Sequence, residues 1–149
     1  MNDVEQKPVI DSFRGAFGFL SNFHEASLWY NGKQYRSVEH AYQAFKSTDE
    51  STHELIRNAK SPGIAKRLGK SVQLTPDWET RKVDLMRELL RKKFENPLLR
   101  ALLLVTDGAD LVENNTWNDR FWGTCRGSGQ NWLGKLLMEV REECKIQDN

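Results

Sequence analysis

The sequence of 149 residues has little of what secreted, zinc-binding or membrane proteins require. Its two cysteines, Cys125 and Cys144, allow at most one disulfide and fit no metal-ligand spacing, so we expect two free thiols. The longest apolar run, 98–105, contains Arg100 and is far shorter than the ~20 residues of a membrane helix. The polar start, 1–7, does not resemble a signal peptide. These absences predict a soluble, cytoplasmic protein without membrane contacts.

The common enzyme signatures are also missing. The sequence contains no phosphate-binding loop, dinucleotide-binding glycine pattern, nucleophile elbow or zinc-protease motif. Any chemistry must therefore come from acids, amides and aromatic rings, and we expect neither a metal nor a cofactor. Hydrophobic residues make up 38% of the chain, which is sufficient for a buried core.

Charge is unevenly distributed along the chain. Residues 1–56 hold five Lys/Arg against eight Asp/Glu, residues 57–100 hold twelve against five, and residues 101–149 hold five against eight. The basic middle segment has two interpretations, a solvated helix face or a surface that attracts phosphate.

Local patterns predict an α+β fold: a helix-rich domain with a small antiparallel sheet or hairpin near the N-terminus. Residues 13–23 combine aromatics and glycines, which favours a strand and turn. Asn31-Gly32 predicts a type I′ hairpin between 27–30 and 33–36. Five helices are predicted at 38–47, 50–59, 61–69, 75–94 and 96–105, with Ser37 as the cap of the first. A short strand at 111–113, a polar loop at 114–130 and a last helix capped by Asn131 complete the expectation.

The first predicted helix concentrates polar groups on one face. Glu39, Gln43 and Lys46 are spaced at i, i+4 and i+7, with Tyr42 beside them. Glu39 in a cavity could act as an acid or base, whereas on the surface it would form only an ordinary helical ion pair. His40 has the pattern of a hydrogen-bonded structural histidine.

The loop 114–131 is the second polar concentration. Large aromatics are costly to expose, so Trp122 is expected to pack inward and to hold Asp119, a second candidate acid, close to the body of the protein. Gly127 and Gly129 ahead of a helix could form an anion-binding nest to which Arg126 adds charge, or simply a turn.

A series of short motifs follows in order along most of the chain. They are Phe19–Phe23, Gly32-Lys33, Ser37–Gln43, Lys46, Ser61-Pro62, Asp77-Trp78, Met86, Lys93-Phe94, Leu111–Glu113, Asp119–Gly123, Gly127–Asn131 and Leu133–Arg141. Together these motifs resemble the NADAR or YbiA-like family. The likeness extends from about residue 13 to 143, which we expect to form the domain between a polar lead at 1–12 and a tail at 144–149. A departure at Thr124-Cys125-Arg126, where many relatives carry glycines, affects the expected rim of the pocket.

The resemblance implies hydrolysis of N-glycosidic bonds. YbiA-like proteins act on phosphorylated ribosylaminopyrimidine intermediates of riboflavin biosynthesis, and other members remove ADP-ribose from guanine in nucleic acid. The implied partner is therefore a small phosphorylated ribosyl compound or an ADP-ribosylated nucleic acid, with the oligomeric state left open. The implied catalytic residues are Glu39, Lys46 and Asp119. The expected substrate-binding residues are Asn22, Tyr42, Gln43, Trp78, Trp122, Arg126, Gly127 and Gly129.

Breaking a C1′–N bond builds positive charge on the ribose and requires a proton for the leaving nitrogen and an activated water. Two acids meet that need, and the sequence leaves their division of roles open. Trp78 could stack on the base or wall the ribose, while Lys46 could bind phosphate, tune Glu39 or attack the opened sugar. The alternatives are a non-catalytic ADP-ribose or nucleotide-binding module and, more weakly, a nucleic-acid-binding protein that uses the basic segment.

Overall fold

Helices form most of the regular structure in the computed structural model, which describes residues 6–147. The predicted lead at 1–12 and tail at 144–149 therefore lie partly outside the described residues. A 3₁₀-helix occupies Gly15–Leu20. The α-helices within the described residues are α1 (Val38–Ala44), α2 (Glu50–Arg57), α3 (Pro62–Gly69), α4 (Trp78–Lys93), α5 (Pro97–Val105) and α6 (Trp132–Gln147). The strands are β1 (Val9–Ile10), β2 (Leu28–Tyr30), β3 (Lys33–Tyr35), β4 (Asp110–Leu111), β5 (Asn114–Asn115) and β6 (Thr124–Cys125).

The described residues fall into two compact units. We call Ser21–Asn96 the central unit, and residues 6–20 together with 97–147 the terminal unit. Each has its own buried apolar side chains.

The central unit begins with the predicted hairpin, which is confirmed. Strands β2 and β3 pair antiparallel, with Tyr30 opposite Lys33. Asn31 and Gly32 between them have φ values of 53° and 78°, the positive angles that a type I′ turn needs.

Helix α1 is the centre of packing in this unit, because α2, α3 and α4 all contact it. Ser37 caps α1 as predicted by accepting from His40 N at 3.0 Å. The helix ends at Ala44, three residues before the predicted end at Ser47. The buried apolar side chains of this unit include Leu28, Tyr35, Ala41, Ala44, Ile56, Ala65, Leu85, Met86, Leu89, Leu90 and Phe94.

Two predictions for the terminal unit are wrong in detail. The strand expected within 13–23 is a 3₁₀-helix over 15–20, stabilised by local bonds such as Phe17 N to Arg14 O at 3.1 Å, and only Phe19 and Leu20 in it are buried. Asn131 precedes α6 as expected, but its side chain connects Leu111 O and Glu113 N at 2.9 and 3.0 Å.

Short parallel pairs complete the terminal unit. Strand β1 pairs with β4, and β5 pairs with β6 within the segment predicted as a loop. Strand β4 begins one residue before the predicted strand at 111–113. The buried side chains include Leu20, Leu99, Leu103, Leu111, Leu133, Leu136, Leu137 and Val140.

The predicted fold class, a helix-rich α+β protein with a small antiparallel hairpin, is confirmed. Both cysteines are buried thiols that form no disulfide within the described residues, as expected. None of the helices in the described part of the chain has the length and apolar character needed to cross a bilayer.

Candidate active site

Helix α1 presents a buried carboxyl group and a buried amide to each other. Gln43 Nε2 donates to Glu39 Oε1 at 2.8 Å, and the two residues are 4% and 7% exposed. The shared face predicted from their i, i+4 spacing is thus present. Since a buried charge is costly unless it is hydrogen-bonded, this contact both orients and stabilises the carboxyl group.

The start of α1 is held by a turn that precedes it in sequence. Asn22 O accepts from Glu39 N at 3.1 Å, which satisfies one of the amides that a helix leaves unpaired in its first turn. The Asn22 side chain donates to Met86 Sδ at 3.6 Å, and its buried Oδ1 has no hydrogen-bond partner among residues 6–147. That oxygen is a candidate acceptor for a substrate donor.

His40 is the structural histidine that its context predicted. Its Nε2 donates to Ala59 O at 2.9 Å, while Nδ1 lies 2.7 Å from Ser37 Oγ. Burial lowers the pKa of His40, against the opposing effect of the Ala59 carbonyl. Both ring nitrogens are occupied, so His40 supports α1.

Two aromatic rings, one on α1 and the other at the start of α4, lie against each other. The rings of Tyr42 and Trp78 lie 5.1 Å apart at an angle of 51°. Trp78 is 3% exposed, and the Arg81 guanidinium lies over its ring at 5.6 Å. Arg81, which the sequence analysis missed, also donates to Phe45 O at 3.0 Å, next to Lys46. Because Trp78 is buried and covered by Arg81, its ring is better placed to line a site than to offer an open face for stacking on a base.

Lys46 follows α1 and lies half-buried with its Nζ 5.4 Å from the centre of the Tyr42 ring. Burial lowers the pKa of Lys46; the charge of Glu39 raises it, and those of Lys66 and Lys82 lower it further. The charge of Glu79, which is ion-paired with Lys82 at 2.6 Å, also raises the pKa of Lys46, so both positive and negative groups surround this ammonium.

Gly69 makes the Glu39–Gln43 contact sterically feasible, and sequence reasoning missed it. A Cβ on Gly69 would lie 1.9 Å from Gln43 Oε1 and 2.8 Å from its Cδ. Helix α3 therefore needs glycine where it faces α1. A glycine at the end of the helix predicted at 61–69 is the sequence signal for this close approach.

The candidate residues of the terminal unit lie in the loop 114–131. Asp119 Oδ1 accepts from Phe121 N and Trp122 N at 3.1 and 2.9 Å. Asn115, which was also missed, holds the Asp119 backbone from both sides with bonds of 3.0 and 2.8 Å. Asp119 Oδ2 has no hydrogen bond to the described residues. Asp119 is thus fixed through one carboxyl oxygen, while the other is available.

The segment proposed as an anion nest forms a tight turn. Cys125 and Ser128 exchange backbone hydrogen bonds of 2.9 and 3.2 Å around Arg126 and Gly127, which both have positive φ. The Ser128 amide is therefore already bonded. Gly129 allows a close approach, because a Cβ there would lie 2.3 Å from Gly123 O.

Much of the basic segment is a solvated helix face. On α4, Lys82, Arg87 and Lys92 each form an ion pair with an acid three residues away, at 2.6, 2.6 and 3.4 Å. Within residues 6–147, no group of three or more His, Cys, Asp or Glu side chains is arranged to hold a metal ion.

Comparisons with known proteins show which family the chain resembles. The chain is 45% identical to N-glycosidase YbiA of Escherichia coli (strain K12), covering 97% of this chain and 93% of that protein. The NMR structure of E. coli YbiA superimposes with a TM-score of 0.86 at 43% identity, covering 97% of this chain and 89% of the other. The chain is also 39% identical to riboflavin biosynthesis protein VVA0006 of Vibrio vulnificus, over 85% of this chain but only 35% of that protein.

The NADAR domain model matches residues 11–145, nearly the whole chain. With the YbiA likeness in both sequence and structure, this match assigns the family. The chain belongs to the NADAR domain family.

Proposed function

We propose that this chain hydrolyses the C1′–N bond of a phosphorylated ribosyl conjugate. It is an N-glycosidase, a hydrolase acting on N-glycosyl compounds, like its E. coli relative. The observation that carries the proposal is the buried Glu39 carboxyl group, hydrogen-bonded by Gln43 beside Lys46 and the Tyr42–Trp78 ring pair.

Glu39 is suited to the charge that develops during the reaction. As the C1′–N bond lengthens, the ribose ring becomes positive, and a fixed carboxylate stabilises that charge most strongly where water is excluded. The same group can accept a proton from the attacking water. The hydrogen bond from Gln43 keeps the carboxyl group in one orientation, so little reorganisation is needed as the charge forms.

Asp119 is proposed as the second acid of the reaction. Two backbone amides already occupy its Oδ1, which fixes the side chain and leaves Oδ2 for the substrate or a water. Protonation of the leaving nitrogen needs such a positioned group, because an amine or amide anion is a poor leaving group.

Of the roles open to Lys46, phosphate binding has the most support. The half-buried Lys46 ammonium feels the positive charges of Lys66 and Lys82, and a bound phosphate would offset their effect on it. Trp78 and Tyr42 then wall the sugar, because Trp78 is too deeply buried to offer an open face to a base.

The proposed substrate is a ribosylaminopyrimidine phosphate. The name of the V. vulnificus relative, a riboflavin biosynthesis protein, supports this branch. ADP-ribosylated guanine is the alternative, because it contains the same C1′–N linkage and also carries phosphate.

Incubation with each substrate, followed by chromatography of the released base, tests the function. The native protein should release base, and Glu39→Gln should lose at least about a hundredfold in kcat, since it removes the charge but keeps the shape. Glu95→Gln, at an exposed position of the same unit, is the matched control and should keep native activity.

The substrate from which base is released shows whether the enzyme acts on the ribosylaminopyrimidine phosphate or on ADP-ribosylated guanine. No base release from either substrate, together with tight ADP-ribose binding, would contradict the proposal and indicate a binding module. Equal activity of Glu39→Gln and Glu95→Gln would exclude Glu39 from the chemistry.

A further inference from the structure

One lysine of the central unit lies where the helix pattern calls for an apolar residue. Lys93 is the last residue of α4 and follows the stripe of Met86, Leu89 and Leu90 into the interior, where it is 2% exposed. Burial alone lowers the pKa of Lys93 to about 7. A buried ammonium group is costly, and an apolar side chain of similar volume at such a site is often as stable or more so.

The Lys93 ammonium lies 5.2 Å from the centre of the neighbouring Phe94 ring and makes a hydrogen bond to a distant part of the chain. Its Nζ donates to Ser21 O at 2.9 Å, across 72 positions of sequence. The same carbonyl accepts from His24 N at 3.1 Å, and Phe23 N donates to Ser21 Oγ at 3.1 Å. Lys93 thus fastens a closed turn of four residues, 21–24, to α4.

That turn carries the group that holds Glu39. Asn22 lies inside it, and its carbonyl accepts from Glu39 N at 3.1 Å. The contacts therefore run from Lys93 to the Ser21 carbonyl, through one peptide unit to the Asn22 carbonyl, and on to the amide of Glu39. The unpartnered Oδ1 of Asn22 belongs to the same rigid turn.

We propose that Lys93 is a positioning residue, which sets the placement of Asn22 and Glu39 by fixing the turn 21–24. This rests on the proposed function for its effect on catalysis, although the contact itself does not depend on any activity. Lys93 acts through the turn and does not touch the substrate.

Replacement by methionine separates this role from a contribution to folding. Lys93→Met keeps the length and apolar stem of the side chain but cannot donate to Ser21 O. The Ser21 carbonyl keeps its bond from His24 N, so no buried acceptor is left unpaired, and the variant should unfold at no lower urea concentration than the native protein. Lys92→Met, at the preceding and exposed position of α4, is the matched control.

The first measurement is amide hydrogen exchange by NMR. In Lys93→Met the Glu39 amide should exchange about tenfold faster or more, because its acceptor is on a loosened turn. The His40 amide, whose acceptor is Ser37 Oγ, should keep its native rate. Lys92→Met should leave both amides unchanged.

The second measurement is the steady-state rate of base release. Lys93→Met should lower kcat about tenfold or more and change KM much less, because a displaced carboxylate affects the transition state more than substrate binding. If Lys93→Met does not fold, Lys93→Gln, which keeps a shorter donor, replaces it and should show smaller changes in the same direction.

The two proposals fail differently. A native protein that releases no base contradicts the proposed function, and the exchange of the Glu39 amide still tests Lys93. If Lys93→Met matches Lys92→Met in Glu39 exchange and in kcat, Lys93 has no positioning role.

Discussion

Gln43 and Glu39 are joined by a 2.8 Å hydrogen bond in which the amide Nε2 donates and the carboxyl Oε1 accepts. The bond spans one turn of α1 and is almost completely buried. Because a carboxylate can only accept, the bond also fixes which end of the Gln43 amide faces Glu39 and directs Oε1 toward Gly69. The geometry of the carboxyl group therefore depends on a neighbouring helix.

Gly69→Ala should break this arrangement. The new Cβ would lie 1.9 Å from Gln43 Oε1, so the amide must rotate away from Glu39. We expect a loss of about 1–3 kcal/mol in the free energy of unfolding, as for other overpacked sites, together with a lower kcat. Urea unfolding and base release measure the two effects.

Gly63→Ala is the control on the same helix. Its nearest neighbour would be Ser61 Oγ at 3.9 Å, so the Cβ fits, and the free energy of unfolding should stay equal or rise by up to about 1 kcal/mol. If the two alanine variants have equal free energies of unfolding and equal rates of base release, the Gln43 side chain accommodates the new Cβ without loss of stability or activity.

The lysines around Lys46 give a prediction about substrate charge. Lys66→Met should raise KM for the phosphorylated substrate roughly two- to fivefold at low salt, because it removes one partly screened charge. Lys82→Met should have a similar effect, because it leaves the charge of its ion-pair partner Glu79 unneutralised near Lys46. KM for the dephosphorylated compound should not change. Lys92→Met, on the exposed side of α4, should have neither effect. A rise in KM that is the same for both compounds would show that the lysines do not act on the phosphate.

Local sequence signals predicted most helices and the hairpin because their causes are local. Asn31-Gly32 accommodates the positive φ values of the turn, and the hydroxyls of Ser37 and Ser61 cap α1 and α3 within four residues. The wrong strand at 13–23 has a physical reason: aromatic residues favour a strand and glycines a turn, but the segment closes its hydrogen bonds locally, in a 3₁₀-helix.

Contacts between distant residues were not predictable. Strands β1 and β4 pair only two residues each across about a hundred positions, too short for any periodic pattern. The spacing of Glu39 and Gln43 on one helix indicated their contact, whereas Gly69 against Gln43 and Lys93 against Ser21 depend on how helices pack.

Histidine burial gives a prediction about stability and pH. Burial lowers the pKa values of His40 and His53, and His53 also contacts Tyr35 OH at 2.6 Å. Below about pH 6.5 these histidines bind protons more readily in the unfolded chain than in the folded protein. The free energy of unfolding therefore decreases as the pH decreases. The urea midpoint should therefore drop between pH 7 and pH 5.

Two other groups with lowered pKa values affect stability outside the range from pH 5 to pH 7. The lowered pKa of Lys93, about 7, makes stability rise with pH only above 7, and the lowered pKa of Glu54, about 2, matters only below about pH 4.5. His53→Gln should reduce the drop between pH 7 and pH 5. A midpoint that stays constant over that range would contradict the prediction.

Two substitutions of Asp119 separate the contribution of its carboxyl group to catalysis from its contribution to the folded loop. In Asp119→Asn the remaining carbonyl oxygen can still accept from Phe121 N and Trp122 N, so the loop should stay folded. Asp119→Ala removes that acceptor and should cost about 1 kcal/mol in the free energy of unfolding. Base release should fall by at least about tenfold in both variants, because both lack the carboxyl group that would protonate the leaving nitrogen.

The comparison of the two variants decides what Asp119 does. If it only shapes the loop, Asp119→Asn should keep native activity and Asp119→Ala should lose activity in step with stability. If it is the second acid, Asp119→Asn should be as stable as the native protein in urea and still be impaired. Because Asn115 holds the Asp119 backbone independently of the side chain, an activity loss in Asp119→Asn reports on the missing carboxyl group and not on a displaced loop.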